Sequence, residues 1–270
     1  MLSITPFRSE GKTFEMVSEI REYSFADGWY EIASESHFWF QWRLIVTLKQ
    51  VERLGISRGA KLKVLDVGCG TGVLRNQIEG VTNWIVDGAD IDITALSQAK
   101  PGCGKLMYYD IHDEREDFLE EYDVVILFDV LEHISDTQPF IRSLLRHLKP
   151  QGVLLLNVPA WQALYSRYDE VVGHVRRYNR STLAAEFKGS DLRIDDMCYW
   201  GLTMAPLLAM RKLVLKTLTK HPTPEQIRRG FDPPGAMAHR LLKSVMRVET
   251  FLFDKPPLGS SLLLAGRKVL

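Results

Sequence analysis

The nine residues Val64 to Gly72, VLDVGCGTG, constrain this chain more than any other stretch, because they turn a buried strand into a bare-backbone loop. Val64, Leu65 and Val67 favour extended backbone, and glycine then falls at alternate positions, Gly68, Gly70 and Gly72. Glycine at that spacing permits positive φ and lets a ligand lie against the main chain. The helix expected next, TGVLRNQIEG, offers unpaired N–H groups at its start. The loop therefore expects a nucleotide-like guest, although read alone it also fits a tight structural turn in any α/β protein.

The following segments decide between these readings. NWIVDGADID is a strand ending in acids, and Asp90 stands 24 positions beyond Asp66. In dinucleotide-type folds an acid at the tip of the second strand takes the ribose hydroxyls, which suits Asp90; Asp92 is its rival, and the cap of the helix ITALSQAKPG is the alternative use for either. KLMYYDIHD is a third strand with an acid, Asp110, at its end. YDVVILFDV and GVLLLNVPA are nearly continuous apolar runs, as strands buried on both faces require, and LEHISDTQPFIRSLLRHLKPQG between them reads as a helix with a proline and glycine stop. Five β and α alternations predict a parallel sheet with helices on both faces, whose carboxyl edge carries the ligand.

Lys plus Arg and Asp plus Glu both number 34 in the 270 residues, so net charge gives no case for nucleic acid as a partner. The balance is uneven: 12 basic and 4 acidic residues lie from Gly201 onward, leaving 22 and 30 before it. Three scattered cysteines, Cys69, Cys103 and Cys198, fit a reducing compartment rather than a disulfide framework, and neither a signal peptide nor a spanning apolar run is present; the expected location is the cytoplasm. Residues 1–58 read as an N-terminal helical cap, with a helix from about Ser36 carrying Phe40, Leu44, Ile45, Leu48 and Val51 at helical spacing and Gly55 as its stop. Residues 59–270 read as the ligand-binding domain.

These motifs together resemble class I S-adenosylmethionine-dependent methyltransferases over about residues 60 to 160. LDVGCGTG resembles the family's first motif, ADID its ribose-binding acid, YYDIHD its adenine-side acid, and YDVVILFDVLEH and LKPQGVLLLNVP its fourth- and fifth-strand motifs. The resemblance implies a Rossmann-like, doubly wound α/β sheet of seven strands, the last antiparallel, with LRIDDMCYW and SSLLLAGRKV as the sixth and seventh. It implies that Gly68, Gly70 and Gly72 pass beside the methionine portion of S-adenosylmethionine, that Asp90 holds the ribose, and that Asp110 and Ile111 flank the adenine. Asp66, Cys69, Ile91 and Phe128 complete the cofactor-binding set. VLEHI and the later YSRYDEVVGHVRRYNRSTLAAEF are closer to the ubiquinone-pathway O-methyltransferases, and the GHxRRY segment is similar to bacterial methyltransferases found beside sugar and polyprenyl enzymes. A small-molecule hydroxyl acceptor, lipid- or sugar-linked, is the implied substrate.

Methyl transfer is an in-line displacement, so the protein must align the nucleophile, exclude water and remove a proton. A histidine is the natural base for a hydroxyl, and His174 is the preferred one, with His133 and Glu132 beside it; Trp39, Arg176, Arg177 and Tyr178 are the candidate substrate contacts. Arg176 and Arg177 also fit as ion-pair partners of Asp169 and Glu170. The pattern DxxEH resembles the ExxEH of metal-dependent members of this branch. That implies a divalent ion, magnesium, on Asp129, Glu132, His133 and His174, with an aspartate where the pattern has glutamate; Glu132 and His133 serve equally as caps at a helix start.

A helical insertion is expected at about 200–258, with MAPLLAMRKLVLKTLTK and AMAHRLLKSVMRVETFLF as amphipathic helices. A lid, a homodimer face and peripheral contact with an anionic membrane are the three uses open to them. Two other functions share the sheet: a nicotinamide-dependent reductase and a non-catalytic S-adenosylmethionine-binding module. Against the first, the loop reads GxGxG rather than GxGxxG and no tyrosine has lysine four residues later; against the second, the glycine loop and all three acids are intact.

Overall fold

The computed structural model describes residues 6–9, 12–21, 34–217 and 235–269. Its strands in chain order are β1 (Pro6–Ser9), β2 (Lys12–Met16), β3 (Lys63–Val67), β4 (Ile85–Asp90), β5 (Leu106–Tyr108), β6 (Tyr122–Phe128), β7 (Leu148–Pro159), β8 (Leu192–Trp200) and β9 (Ser261–Lys268). Among the described residues they form one sheet in the order β1-β2-β5-β4-β3-β6-β7-β9-β8. Strands β3 to β7 run parallel. β9 enters between β7 and β8, antiparallel to both. The seven strands expected from the motifs are thus β3 to β9, with the last one reversed.

The N-terminal region departs from a purely helical cap. β1 and β2 form an antiparallel pair, and β2 adds parallel to β5 through Glu15 opposite Met107 and Met16 opposite Tyr108. β5 has only three residues and would otherwise leave an open edge; β2 covers it and buries Phe14 beside Leu96, Leu106 and Tyr108.

The helices are α1 (Phe38–Arg53), α2 (Val73–Glu79), α3 (Ile93–Gln98), α4 (Thr137–Arg146), α5 (Arg167–Val171), α6 (Arg180–Glu186), α7 (Met204–Thr217) and α8 (Ala236–Leu252). Alternation along the central strands builds two cores. Leu65, Val67, Val125, Leu127, Leu154 and Leu156 face α4 and α6 through Phe140, Ile141, Leu144 and Leu183. Val64, Val124, Ile126, Val153 and Leu155 face α1, α2 and α8 through Trp42, Val46, Ile78 and Met246. α1 is rotated from the stripe read in the sequence: Trp42, Val46 and Val51 are buried, whereas Phe40, Leu44 and Ile45 are half-buried. The reason is Trp42, which packs edge-on against Trp200 of β8.

α7 and α8 occupy the connection between β8 and β9. Glu249 of α8 is buried and ties them together, accepting from the N–H groups of Gly201 and Leu202 at 3.0 and 2.9 Å and from the Thr203 N–H and hydroxyl at 2.9 Å. No helix of the described residues is long and apolar enough to cross a membrane. The segments of KTLTK beyond Thr217 and up to Pro234 lie outside the described residues. Strand order reverses between β3 and β6, and a crevice opens outside their carboxyl ends, where open α/β sheets bind ligands.

Candidate active site

That crevice holds a cavity of about 610 Å³, bounded by the ends of β3, β4, β6 and β7, by α1, and by residues of α5, α7 and α8. Its sheet-side wall contains Asp66, Gly68, Cys69, Gly70, Asp90, Ile91, Asp110, Ile111 and Phe128. Gly72 stands outside the lining as the left-handed N-cap of α2 (φ +74°). Gly68 has φ +73°, and a Cβ there would lie 2.4 Å from Val130 Cγ2, so both backbone and packing require glycine.

Asp90 is fixed by the loop it faces: Oδ2 accepts from Gly70 N at 2.7 Å and Oδ1 from Asp92 N at 2.9 Å. Asp92 caps α3 by accepting from Ala95 N at 3.0 Å, whereas Asp90 faces the cavity. Burial raises the Asp90 pKa to about 6, against the two N–H donors. Burial likewise raises Asp66 to about 7, with Arg43 opposing and the charge of Asp90 adding to the rise. Asp66 Oδ2 is buried without a hydrogen-bond partner among the described residues. A buried carboxylate oxygen in this state has capacity for one more donor. Asp110, across the cavity, accepts from His112 N at 3.0 Å and from Arg21 Nη1 at 2.7 Å.

The opposite end is built on segments 131–133 and 166–177. Ser166 and Asp169 form a capping box that starts α5, and Gly173 (φ +84°) turns the chain back toward the sheet. Val175 N then donates to Glu132 O at 2.8 Å, which sets His174 against Glu132 and His133. His174 Nδ1 lies 3.0 Å from Asp169 Oδ1, the same oxygen that accepts from Arg177 Nε at 2.7 Å. Burial pulls the Asp169 pKa up, but the bonds from His174 and Arg177 bring it below the ordinary carboxylate value. An ionised Asp169 fixes the proton of His174 on Nδ1 and leaves Nε2 directed to Glu132 Oε1, 3.8 Å away. That distance is too long for a hydrogen bond.

Glu132 is 1% exposed, and its Oε2 has no hydrogen-bond partner among the described residues. Burial, and then the charge of Asp129, push its pKa well above the usual carboxylate range. His133 is held by its Nδ1 at 3.2 Å from Gly173 O, and burial with the neighbouring His174 lowers its pKa to about 4. One donor atom each from Glu132, His133 and His174 all lie within 4.8 Å of one another. Asp129 is not in this group. Its carboxylate accepts from Arg43 Nη1 and Asn157 Nδ2, both at 2.6 Å, in a left-handed backbone conformation (φ +57°) that aspartate tolerates.

Two expected substrate contacts also stand elsewhere. Arg176 reaches away to the carbonyls of Ile134 and Ser135, at 3.2 and 2.6 Å, and to Glu186 at 3.5 Å. Tyr178 bridges Ala160 by backbone and buries its ring in the core. Arg177 and Trp39 do line the cavity, Arg177 paired with Asp169 and Trp39 lying over Trp200 at 4.5 Å between ring centroids.

The sequence reading did not single out Arg43, Asn157 and Trp200 as a unit. Arg43 bonds Asp129, Asn157 bonds Asp129, and Trp200 Nε1 donates to Asn157 Oδ1 at 2.8 Å, so α1, the end of β6, β7 and β8 are joined at the cavity wall, where Arg43 and Asp129 form part of the lining. The helical insertion, for which a lid is one of the three expected uses, lines this end of the cavity with the apolar surface of Met204, Leu207, Leu208 and Leu242, and Arg211 lies over the Tyr168 ring at 4.1 Å.

Residues 41–196 match the sequence model of the methyltransferase domain family. The ubiquinone biosynthesis O-methyltransferase of Rickettsia conorii is 36% identical over 101 residues, covering 36% of this chain and 35% of that protein. Its counterpart in Rickettsia canadensis is 35% identical over 101 residues, covering 36% and 43%. The matched segment therefore spans well under half the length of these relatives. Among solved structures, the candidate methyltransferase in complex with the Haloferax volcanii Trm112 activator superposes with TM-score 0.58 at 15% identity, covering 92% of this chain and 100% of that one. A candidate sarcosine dimethylglycine methyltransferase from Galdieria sulphuraria gives 0.56 at 14%, covering 83% and 85%. Identities this low speak for the fold alone. With more than half of its length matching the family model, and with the strand order and glycine loop described above, this chain belongs to the methyltransferase domain family and has the fold of a class I S-adenosylmethionine-dependent methyltransferase.

Proposed function

We propose that the protein transfers a methyl group from S-adenosylmethionine to a hydroxyl of a small, lipid- or sugar-linked acceptor, with His174 as the base. The observation that carries this reading is the Asp169–His174–Glu132 array at the acceptor end of a cavity whose other end is the glycine loop. S-adenosylmethionine, when bound, supplies the electrophilic methyl group. Asp90 suits its ribose hydroxyls, the unpartnered Asp66 oxygen its charged amino-acid portion, and Asp110 with Ile111 its base. His174 Nε2 takes the hydroxyl proton, and the ionised Asp169 stabilises the resulting imidazolium. Phe40, Trp39 and the leucines of the insertion exclude water and suit an apolar acceptor. The naming of the Rickettsia relatives as O-methyltransferases supports the choice of oxygen.

A second reading is favoured by the grouping of Glu132, His133 and His174, with the unpartnered Glu132 oxygen and with Asp169 backing His174, as a carboxylate backs a metal-bound imidazole. A divalent ion there would acidify the acceptor hydroxyl. Two imidazoles and one carboxylate suit zinc, iron(II) or manganese better than magnesium, and Asp129 would not contribute. The test is methyl transfer from labelled S-adenosylmethionine to a panel of phenols, polyprenyl phenols and glycosides, with matched amines, before and after chelation. Transfer only to amines sinks the hydroxyl assignment, and transfer unaffected by chelation sinks the metal.

A further inference from the structure

α8 presents three separate sectors. At roughly 100° per residue, Met237, Leu241, Val248, Phe251 and Leu252 fall within about a 100° arc. Their exposures are 84, 65, 57, 88 and 63%. Arg240, Lys243 and Arg247 fall together on one flank of that arc, and Leu242, Met246, Glu249 and Thr250 on the opposite, packed side. The only acid in α8 is Glu249, which is buried and occupied at the start of α7. A solvent-facing helix with five large apolar side chains and a row of cations, and no exposed anion, is costly in water.

We propose that this face of α8 rests on an anionic lipid bilayer, the apolar arc entering the acyl boundary and Arg240, Lys243 and Arg247 meeting lipid phosphates. The charge arrangement selects this occupant. A second copy docked antiparallel through the same face would bring the cationic row against itself, and one docked parallel would set it against a flank with no exposed acid, whereas an anionic surface is complementary to the row along its length. The helix also contributes to the cavity wall: Leu242, on its packed side, lines the cavity, as does Leu207 of α7, itself 43% exposed. Docking would therefore bring the cavity rim to the bilayer surface, which deepens the lipid-linked acceptor of the proposed function, although the binding itself does not depend on that reading.

The experiment is flotation of the full-length protein with phosphatidylcholine vesicles containing or lacking about one third phosphatidylglycerol, at low and high salt, alongside sedimentation velocity without lipid. Two variants accompany the wild type, Arg240→Glu/Lys243→Glu/Arg247→Glu and Leu241→Ser/Phe251→Ser, each checked for unaltered S-adenosylhomocysteine binding. The expected result is salt-sensitive binding to the anionic vesicles only, weakened at least on the order of a hundredfold by the charge reversals and clearly weakened by the serines. No vesicle binding by the wild type, or binding that both variants retain, overturns the proposal. So does a dimer that the serine variant dissociates in the absence of any lipid binding. Should a variant fail to fold, the composition and salt dependence of the wild type still decide. Vesicle binding without S-adenosylhomocysteine binding would leave the membrane face standing and remove the proposed function.

Discussion

Asp169→Asn is the substitution whose consequences the structure defines most fully. Asp169 is fully buried and accepts from His174 Nδ1 at 3.0 Å, Arg177 Nε at 2.7 Å and Ser166 N at 2.8 Å. Asparagine keeps the shape and removes the charge, leaving the Arg177 guanidinium, 7% exposed in its side chain, without its counter-ion. Breaking one side of a buried pair costs about 3–5 kcal/mol. In a domain of this size that lowers Tm by roughly 6–20 °C. The folded-state pKa of Asp169 is depressed, so its contribution is present above the ordinary value near 3.9 and is lost as pH falls through the lower folded value. Urea denaturation should accordingly find the deficit of the variant full at pH 7 and shrinking below about pH 4. Removing Arg177 as well, in Asp169→Asn/Arg177→Met, should restore part of the loss, giving a coupling of about 2 kcal/mol. Turnover should fall on the order of 10²–10⁴-fold with S-adenosylhomocysteine affinity kept, because His174 loses its tautomer and orientation. A deficit under about 1 kcal/mol together with unchanged turnover would refute the reasoning.

Asp90 and Asp66, with pKa values of about 6 and about 7, become protonated on the acid side of neutrality, and each is then a weaker acceptor with no charge to offer a hydroxyl or ammonium group of a ligand. Affinity for S-adenosylhomocysteine should rise with pH through that range and level off above it; a calorimetric pH series finding flat affinity contradicts these assignments. The same raised values mean that the ligand-free protein gains stability from these two groups at low pH and loses it as pH climbs through about 6 to 7, so ligand-induced stabilisation should be greatest at alkaline pH. Gly68→Ala combines a left-handed φ with a 2.4 Å approach to Val130 and should cost about 2 kcal/mol or more in chemical denaturation. His133→Ala separates the two readings of the acceptor end. If His174 works alone as base, the loss is small and insensitive to chelator; if an ion is held, the loss matches that of chelation and the zinc or manganese content of the protein falls.

The sheet was legible because each central strand is buried on both faces and so declares itself as an apolar run, with Val124 to Phe128 and Val153 to Val158 the clearest cases. The sheet-side wall of the cavity was legible for a related reason: Gly68, Asp90 and Asp110 sit at strand ends, where register alone carries them to one edge. β1 and β2 were not, since four and five residues give little alternation and their partner is an edge strand distant in sequence. The acceptor end was legible only as a set of chemical types. His174 and Arg177 line the cavity, whereas Arg176 turns to the carbonyl of Ser135 and Tyr178 enters the core, because Gly173 reverses the chain and the backbone of Tyr178 joins Ala160, a tertiary pairing that no local spacing encodes. Asp129 left the expected ligand set for the same kind of reason, since its partners Arg43 and Asn157 lie 86 and 28 residues away.

The most direct test is calorimetric titration of the full-length wild type and Asp90→Ala with S-adenosylhomocysteine and, separately, NADH. Binding of S-adenosylhomocysteine alone in the micromolar range, lost in Asp90→Ala, is the predicted result. Binding of NADH, or S-adenosylhomocysteine affinity indifferent to Asp90, would contradict the account.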